Sequence, residues 1–397
     1  MASLANVTDA SAASVPTPGS RSDAAPATPA APRKNRVPFW DNARFACVTL
    51  VVIGHAIQRM TYDSDNAQIV YFFIYAFHMP AFAMISGYFS KASPPGTRQM
   101  RKVLSDILLP YFVMEIIWTL VQWAFDVSDG ISFNPTEPSW TLWFLLALGI
   151  FRLVLPYLVL IRLPLIWAVA FSVLVGYWPN VDSTFSLDRA IGILPFFLLG
   201  WQVRQWRVVD RWRVADRQAW WIRVIAAVVL AAWFATLTVF IDFWTSFDPT
   251  HWFFYDDSYR ALGATTWWAG LVRLAFMALA VVLSAAFFVL IPRRRTWVTG
   301  LGQATMYVYL LHSFVLYPIR ESGVLRGEHS SWPWLAGIIV FAIAISVLLA
   351  SWPVRRVFRW LIEPKPRWLL RDLDEVDRAT GRARDGSRTD PTGSRRR

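Results

Sequence analysis

Arg44 and His55 stand eleven residues apart in a stretch that is otherwise apolar, Arg-Phe-Ala-Cys-Val-Thr-Leu-Val-Val-Ile-Gly-His. On a helix, eleven steps of about 100° complete roughly three turns, so both side chains face the same way, about 16 Å apart along the axis. Ionisable groups inside a hydrocarbon-spanning segment are costly unless a cavity or partner receives them, which makes them functional candidates by default. His78, Glu115 and His312 sit in comparable apolar stretches. Together these groups can do proton-transfer chemistry. An imidazole with an unperturbed pKa of about 6.5 is largely neutral near pH 7 and able to take a proton.

The elements that must position them are membrane helices. The 397-residue chain is 55% hydrophobic and 16% aromatic, with 23 tryptophans and only 17% charged residues, more apolar surface than one soluble core can hide. At about 20 apolar residues per span, ten spans are expected, over 39–60, 68–90, 104–125, 140–160, 163–179, 187–204, 220–244, 265–291, 300–319 and 333–354. The fold class is therefore all-α, a polytopic transmembrane helical bundle. Trp140, Trp178, Trp220, Trp221, Trp244, Trp267, Trp268 and Trp332 fall near the expected span ends, as interfacial anchors do.

Depth follows from the helical rise. His55 lies about 16 Å beyond Arg44, His78 about 15 Å from the opposite surface, His312 about 18 Å in from the Arg44 side, and Glu115 at a similar level. A single intramembrane histidine is often only an interhelical hydrogen-bonder. Four titratable groups at one depth point instead to a shared polar cavity. His251 and His329 fall in expected outer loops and read as solvated. Pro80, Pro110 and Pro195 are expected to interrupt the second, third and sixth spans, which cavity-lining helices tolerate.

Charge orients the bundle. The net charge is +12, but its distribution argues against nucleic-acid binding. Lys91, Arg98, Arg101 and Lys102, then Arg162, then Arg207, Arg211, Arg213 and Arg217, then Arg293, Arg294 and Arg295 all fall in alternate loops. Asp63 and Asp65, Asp126, Asp129 and Glu137, Asp182, Asp248, Asp256 and Asp257, and Glu321 and Glu328 occupy the intervening ones. With ten spans, the positive-inside rule puts the basic loops and both termini in the cytoplasm. Residues 1–36, rich in Ala, Ser, Pro and Thr, read as a disordered cytoplasmic tail rather than a secretory signal. Residues 37–362 form the transmembrane domain and 363–397 a charged cytoplasmic tail. Cys47 is alone, so neither an intrachain disulfide nor a thiol metal site can form. No internal repeat is visible, which weakens a transporter of duplicated halves.

Several segments taken in order resemble the integral-membrane acyltransferase family 3, and within it the fucose 4-O-acetylase-like sugar O-acyltransferases. Phe39-Trp40-Asp41-Asn42-Ala43-Arg44 through His55 is similar to that family's opening helix, with its Arg-x10-His spacing. Phe77-His78-Met79-Pro80, followed by Phe82-Ala83-Met84-Ile85-Ser86-Gly87-Tyr88-Phe89, resembles its second-helix signature, with Ala83 where a second phenylalanine is common. Arg98-Gln99-Met100-Arg101 matches an Arg-x-x-Arg loop leading into Leu109-Pro110-Tyr111. Trp143-Phe144-Leu145, Phe197-Leu198-Leu199-Gly200, and Leu301-Gly302 through Tyr309-Leu310-Leu311-His312 are further landmarks.

The resemblance implies transfer of an acyl group, acetyl in the first instance, from cytoplasmic acyl-CoA to a hydroxyl of a glycan or related extracytoplasmic acceptor. It implies a multi-pass protein of a cell membrane, the bacterial inner membrane. It makes Arg44 and His55 the essential pair and implicates the Arg98/Arg101 loop. Acetyl-CoA would be a substrate, with no bound cofactor and no metal. His55 is then the base, or secondarily a transient acyl carrier. Arg44, Arg98 and Arg101 are candidates to hold CoA phosphates. Glu115 is a candidate to orient His55 or share its proton, His312 to meet the acceptor or oxyanion, and His78 and Ser86 to bind the acceptor. A proton-coupled transporter or flippase, with the buried His and Glu as a relay, is the competing class. A membrane sensor or scaffold is a third, and it leaves the aligned polar groups without purpose.

Overall fold

A computed structural model describes residues 36–94, 96–125, 133–179, 181, 183–215, 218–325, 331–364, 370, 371 and 375. Asp126, Asp129, Asp182, Arg217, Glu328, His329, the tail before Arg36 and nearly all of the tail after Pro364 lie outside the described residues. Among the described residues every regular element is a helix. In chain order these are α1 (Pro38–Ile57), α2 (Asp65–Tyr75), α3 (His78–Phe89), α4 (Thr97–Val103), α5 (Leu109–Ala124), α6 (Trp143–Leu158), α7 (Pro164–Val175) and α8 (Leu187–Gln205). There follow α9 (Val208–Val214), α10 (Gln218–Val239), α11 (Ile241–Phe247), α12 (Thr250–Phe254), α13 (Ala269–Leu290), α14 (Thr305–Glu321), α15 (Trp332–Leu349) and α16 (Trp352–Ile362).

Each of the ten expected stretches contains a helix. Seven helical stretches among the described residues are long and apolar enough to cross a membrane: Pro38–Tyr62, Asp65–Phe89, Thr97–Ala124, Thr184–Gln205, Trp220–Val239, Ala269–Leu290 and Trp332–Leu349. The other three expected spans hold shorter helices, α6 with 16 residues, α7 with 12 and α14 with 17. At 1.5 Å per residue, 16 residues rise only about 24 Å, less than a hydrocarbon core of about 30 Å. The α6–α7 stretch is cut short by Leu163, whose backbone is left-handed at φ 56°, and Pro164, which opens α7. Exposed Val228 on α10, Leu271 and Val282 on α13, and Val340 and Leu348 on α15 give the bundle an apolar outer surface. Such a surface is at home in lipid.

The prolines act through their ring and missing N–H. The second stretch breaks at Ala76 and Phe77, and Pro80 sits in the first turn of α3. A proline ring clashes with the carbonyl four residues back, here that of Ala76, so the chain turns there and restarts. Pro110 works the same way on Asp106, which lies in a π-helical turn, Leu104–Leu108, just ahead of α5. Pro195 departs from expectation: α8 runs through it without a break.

Close helix contact is set by small residues. A Cβ placed on Gly87 of α3 would strike the Phe197 carbonyl oxygen of α8, and one on Gly200 of α8 would strike the Met84 carbonyl oxygen of α3. The backbones of α3 and α8 therefore touch at two reciprocal points, as small residues allow in membrane bundles. α1 is buried along most of its length, against α3, α14, α15 and a short 3-10 turn, Trp297–Gln303.

The start of α1 is pinned by Asn42. Its Nδ2 donates to the carbonyls of Pro292 (2.9 Å) and Arg294 (3.0 Å), and its Oδ1 accepts from the hydroxyls of Thr296 (3.0 Å) and Thr299 (2.7 Å). All the hydrogen-bonding capacity of a buried amide is met in one place. Asn42→Ala should leave several of these groups unpaired and cost about 1–3 kcal/mol. The expected result is a lower unfolding midpoint in detergent, and an unchanged midpoint would show that the junction does not hold α1.

Candidate active site

Because α1 is one regular helix, Arg44 and His55 keep their separation of about 16 Å. They open into different cavities. His55 lines a half-open cavity of about 310 Å³ together with His78, Gln58, Tyr75, Trp140 and Trp143. Charged groups reach the same space from two other directions, Glu137 from the α5–α6 connection and Asp188 and Arg189 from the start of α8. Arg44 lines a second cavity of about 220 Å³ with Ser86, Arg152 and Tyr309.

His312 is fully buried on α14, its ring centre 5.4 Å from that of His55. Three of the four titratable groups expected at one depth are therefore brought together: His55 and His78 in one cavity, with His312 against His55. Glu115 stands one step removed. Its carboxylate accepts from the Ser139 amide (3.0 and 3.2 Å) and from the Ser139 hydroxyl (2.6 Å). The next residue, Trp140, packs its ring edge-on to His55 at 5.2 Å. Glu115 thus reaches His55 through the loop that carries Trp140, and that residue has a left-handed backbone at φ 38°. Such a conformation is strained for a bulky residue and persists only where the surroundings impose it.

At the other end, the Arg44 guanidinium lies 3.5 Å from Asp41 and 4.2 Å over the Phe89 ring. Ser86 faces this cavity and not that of His55, and its hydroxyl donates to the Phe82 carbonyl (3.0 Å). Arg101 lines a third cavity of about 560 Å³ with Ser105, Asp106, Tyr307 and Glu363. Met306 borders both this cavity and the Arg44 cavity. Tyr309 is one turn further along α14, and His312 one turn beyond that. Arg98 is on the exposed face of α4 and lines none of these three spaces.

Sequence reasoning did not pick out Arg189 and Asp188. The Arg189 guanidinium donates to Asp256 through Nε (3.1 Å) and Nη2 (2.8 Å), and lies 5.1 Å over Trp143 and 5.6 Å over Phe254. An Asp-Arg pair heading an apolar helix was the available signal. Asp256 in turn meets His251 in the α12–α13 connection. His251 Nδ1 is 2.9 Å from Asp257 and 3.8 Å from Asp256. The Asp256 carboxylate, opposed by partial burial and joined by the charge of Asp257, holds the His251 imidazole above its usual value. By distance, Asp257 is the direct partner. His251, expected to be merely solvated, is thus half-exposed and ion-paired.

The sign of the pH effect follows. A histidine whose folded pKa exceeds its unfolded value contributes fully below about pH 6.5, and that contribution fades as the pH rises through the folded value. The unfolding midpoint should show this decline, and His251→Gln should remove it. An identical pH slope in the variant would rule His251 out as its source.

The comparisons bear on what such a site does. A family model described as an acyltransferase domain matches residues 37–351. The nodulation protein NolL of Mesorhizobium japonicum is 30% identical over 212 residues, covering 50% of this chain and 55% of that protein. The nodulation protein NolL of Sinorhizobium fredii is 27% identical over 220 residues, covering 52% of this chain and 58% of that protein. The chain thus spans little more than half the length of these curated relatives. No solved structure matches it. A single family model running from the start of α1 to the end of α15, across the Arg44 and His55 cavities, makes the chain a member of the acyltransferase 3 family.

Proposed function

We propose that the protein transfers an acyl group, acetyl in the first instance, from cytoplasmic acyl-CoA to a hydroxyl of a glycan or related acceptor at the outer face of a bacterial inner membrane, with His55 as the base. The observation that carries this reading is the His55 cavity itself. Two histidines share it with the aromatic walls of Trp140, Trp143, Tyr75 and Phe254 and with the polar Gln58, Glu137, Asp188 and Arg189. Apolar rings beside hydroxyl-pairing groups suit a ring-shaped polyol, which His78 would meet.

The donor approaches from the Arg44 end. Ten spans with both termini inside put Arg44, Arg98 and Arg101 on the cytoplasmic side. Arg101 and the 560 Å³ cavity then take the CoA phosphates, with Arg98 assisting from the exposed face of the same helix. The pantetheine arm passes Arg44 and Ser86 toward Tyr309 and His55. The cavity-facing His55 nitrogen takes the acceptor hydroxyl proton as the oxygen bonds to the thioester carbonyl carbon. The carbon–sulfur bond then breaks, and the departing thiolate recovers the proton as CoA. A positioned general base is worth about 10²–10⁴ in rate.

Two outcomes test this with purified protein in vesicles, labelled acetyl-CoA and a panel of glycan acceptors. His55→Ala, shown to be folded, should lose transfer by at least about 100-fold; near-normal transfer would remove His55 as base. Arg101→Ala should raise the KM for acetyl-CoA about tenfold, the equivalent of about 1.4 kcal/mol, with little change for the acceptor. Unchanged donor affinity in both Arg98→Ala and Arg101→Ala would take that loop out of the site.

A further inference from the structure

His312 Nδ1 lies 3.0 Å from the Val308 carbonyl oxygen and 2.7 Å from that of Tyr309. Carbonyl oxygens only accept, so Nδ1 carries a proton in either charge state of the ring. In the neutral ring, Nε2 therefore holds a bare lone pair. Nε2 is buried with no hydrogen-bond partner among the described residues.

His55 has the complementary deficit. Its Nδ1 is also buried without a partner among the described residues. The two rings are neighbours, with centres 5.4 Å apart and planes inclined by 34°. Leaving a buried polar atom unpaired is costly. One hydrogen bond would relieve both deficits, the Nδ1–H of His55 donating to Nε2 of His312. His78 is fixed by the Ile74 carbonyl in the same way (3.0 Å), but its ring packs on Tyr75.

We propose that His312 is a positioning residue that holds His55 in its Nδ1–H tautomer and so presents the Nε2 lone pair of His55 to the acceptor. This rests on the reading of His55 as the base. When His55 Nε2 takes the hydroxyl proton, the ring becomes an imidazolium whose Nδ1–H still points at His312 Nε2. The Val308 and Tyr309 carbonyls accept from the far side of His312 and keep its Nε2 the accepting nitrogen throughout. When the thiolate leaving group recovers the proton from His55 Nε2, the neutral pair is restored and no proton is gained or lost. The tight packing of Trp140 against the His55 ring, 5.2 Å at 74°, opposes rotation out of this arrangement.

The test joins spectroscopy to kinetics on the full-length protein in bilayers. With isotope-labelled histidine, solid-state NMR should show a nitrogen–nitrogen correlation across a hydrogen bond between two imidazoles, absent from both His312→Gln and His55→Ala. His312→Leu, which cannot accept, should lower kcat about 100-fold while the KM values for acetyl-CoA and acceptor stay within about twofold. His312→Gln, whose Oε1 can accept from His55, should recover about tenfold of that loss. A missing correlation in the wild-type protein overturns the proposal. So does a raised KM at unchanged kcat, which would mark direct substrate contact, or equal losses in the Gln and Leu variants. If the Leu variant does not fold, the correlation and the Gln variant decide. Transfer surviving in His55→Ala would instead sink the base assignment, while leaving the imidazole pair itself measurable.

Discussion

In a bundle clad in apolar side chains, every buried polar group must find its partner inside the protein, because the surrounding hydrocarbon offers none. That constraint shapes each part of this structure. Asn42 satisfies both ends of its amide at the junction that anchors α1. Arg273 is almost fully buried near the start of α13, where it donates to the Ser172 carbonyl at 2.9 Å and lies over the Tyr259 ring at 5.3 Å. Among the buried atoms left without a partner, His55 Nδ1 and His312 Nε2 belong to neighbouring rings, their centres 5.4 Å apart, beside the cavity where the chemistry is proposed. Each buried polar atom left unpaired calls for a physical reason, and a role in function is one such reason.

The separation of Arg44 from His55 has a structural logic of its own. A rigid helix spaces them by about 16 Å, and α14 repeats the spacing on a smaller scale, from Met306 through Tyr309 to His312. The two helices pack together; α14 lines the cavities of Arg101 and Arg44, and α1 those of Arg44 and His55. A donor with a charged head and a long thin arm suits such a row.

Much of this was legible in the sequence, for physical reasons. Helices in an apolar medium announce themselves by runs of apolar residues, and each of the ten expected stretches holds one. Lengths were less legible: α6, α7 and α14 read as full spans because hydropathy does not register a left-handed residue such as Leu163 or the turns around it. Arg44, His55, His78 and His312 were visible because ionisable groups are rare in such runs. Asp188 and Arg189 were not, since they head a span where charge is ordinary, and only the fold brings them over His55. Trp140 read as an interfacial anchor, and nothing in its neighbourhood in sequence reveals that it walls the site. The partner of Glu115 lies 24 residues away in a loop without periodicity, which pattern reading cannot resolve.

That last contact explains an otherwise costly feature. Trp140 holds a backbone conformation that disfavours a bulky side chain, φ 38°, and something must supply the free energy to keep it there. On one side, the amide and hydroxyl of Ser139 do so, donating three hydrogen bonds to one carboxylate. On the other, Arg320 lies 5.1 Å over the indole, and Trp118 and Tyr317 pack against it at 5.8 and 6.1 Å. Arg320 also donates to Gln58, itself a lining residue of the His55 cavity. The carboxylate thus anchors the backbone just before Trp140, while Arg320, Trp118, Tyr317 and His55 surround the indole itself. A ring needed only to fill space would not require such restraint. One that must keep the proposed base from turning would, because a base that rotates presents the wrong nitrogen to its substrate.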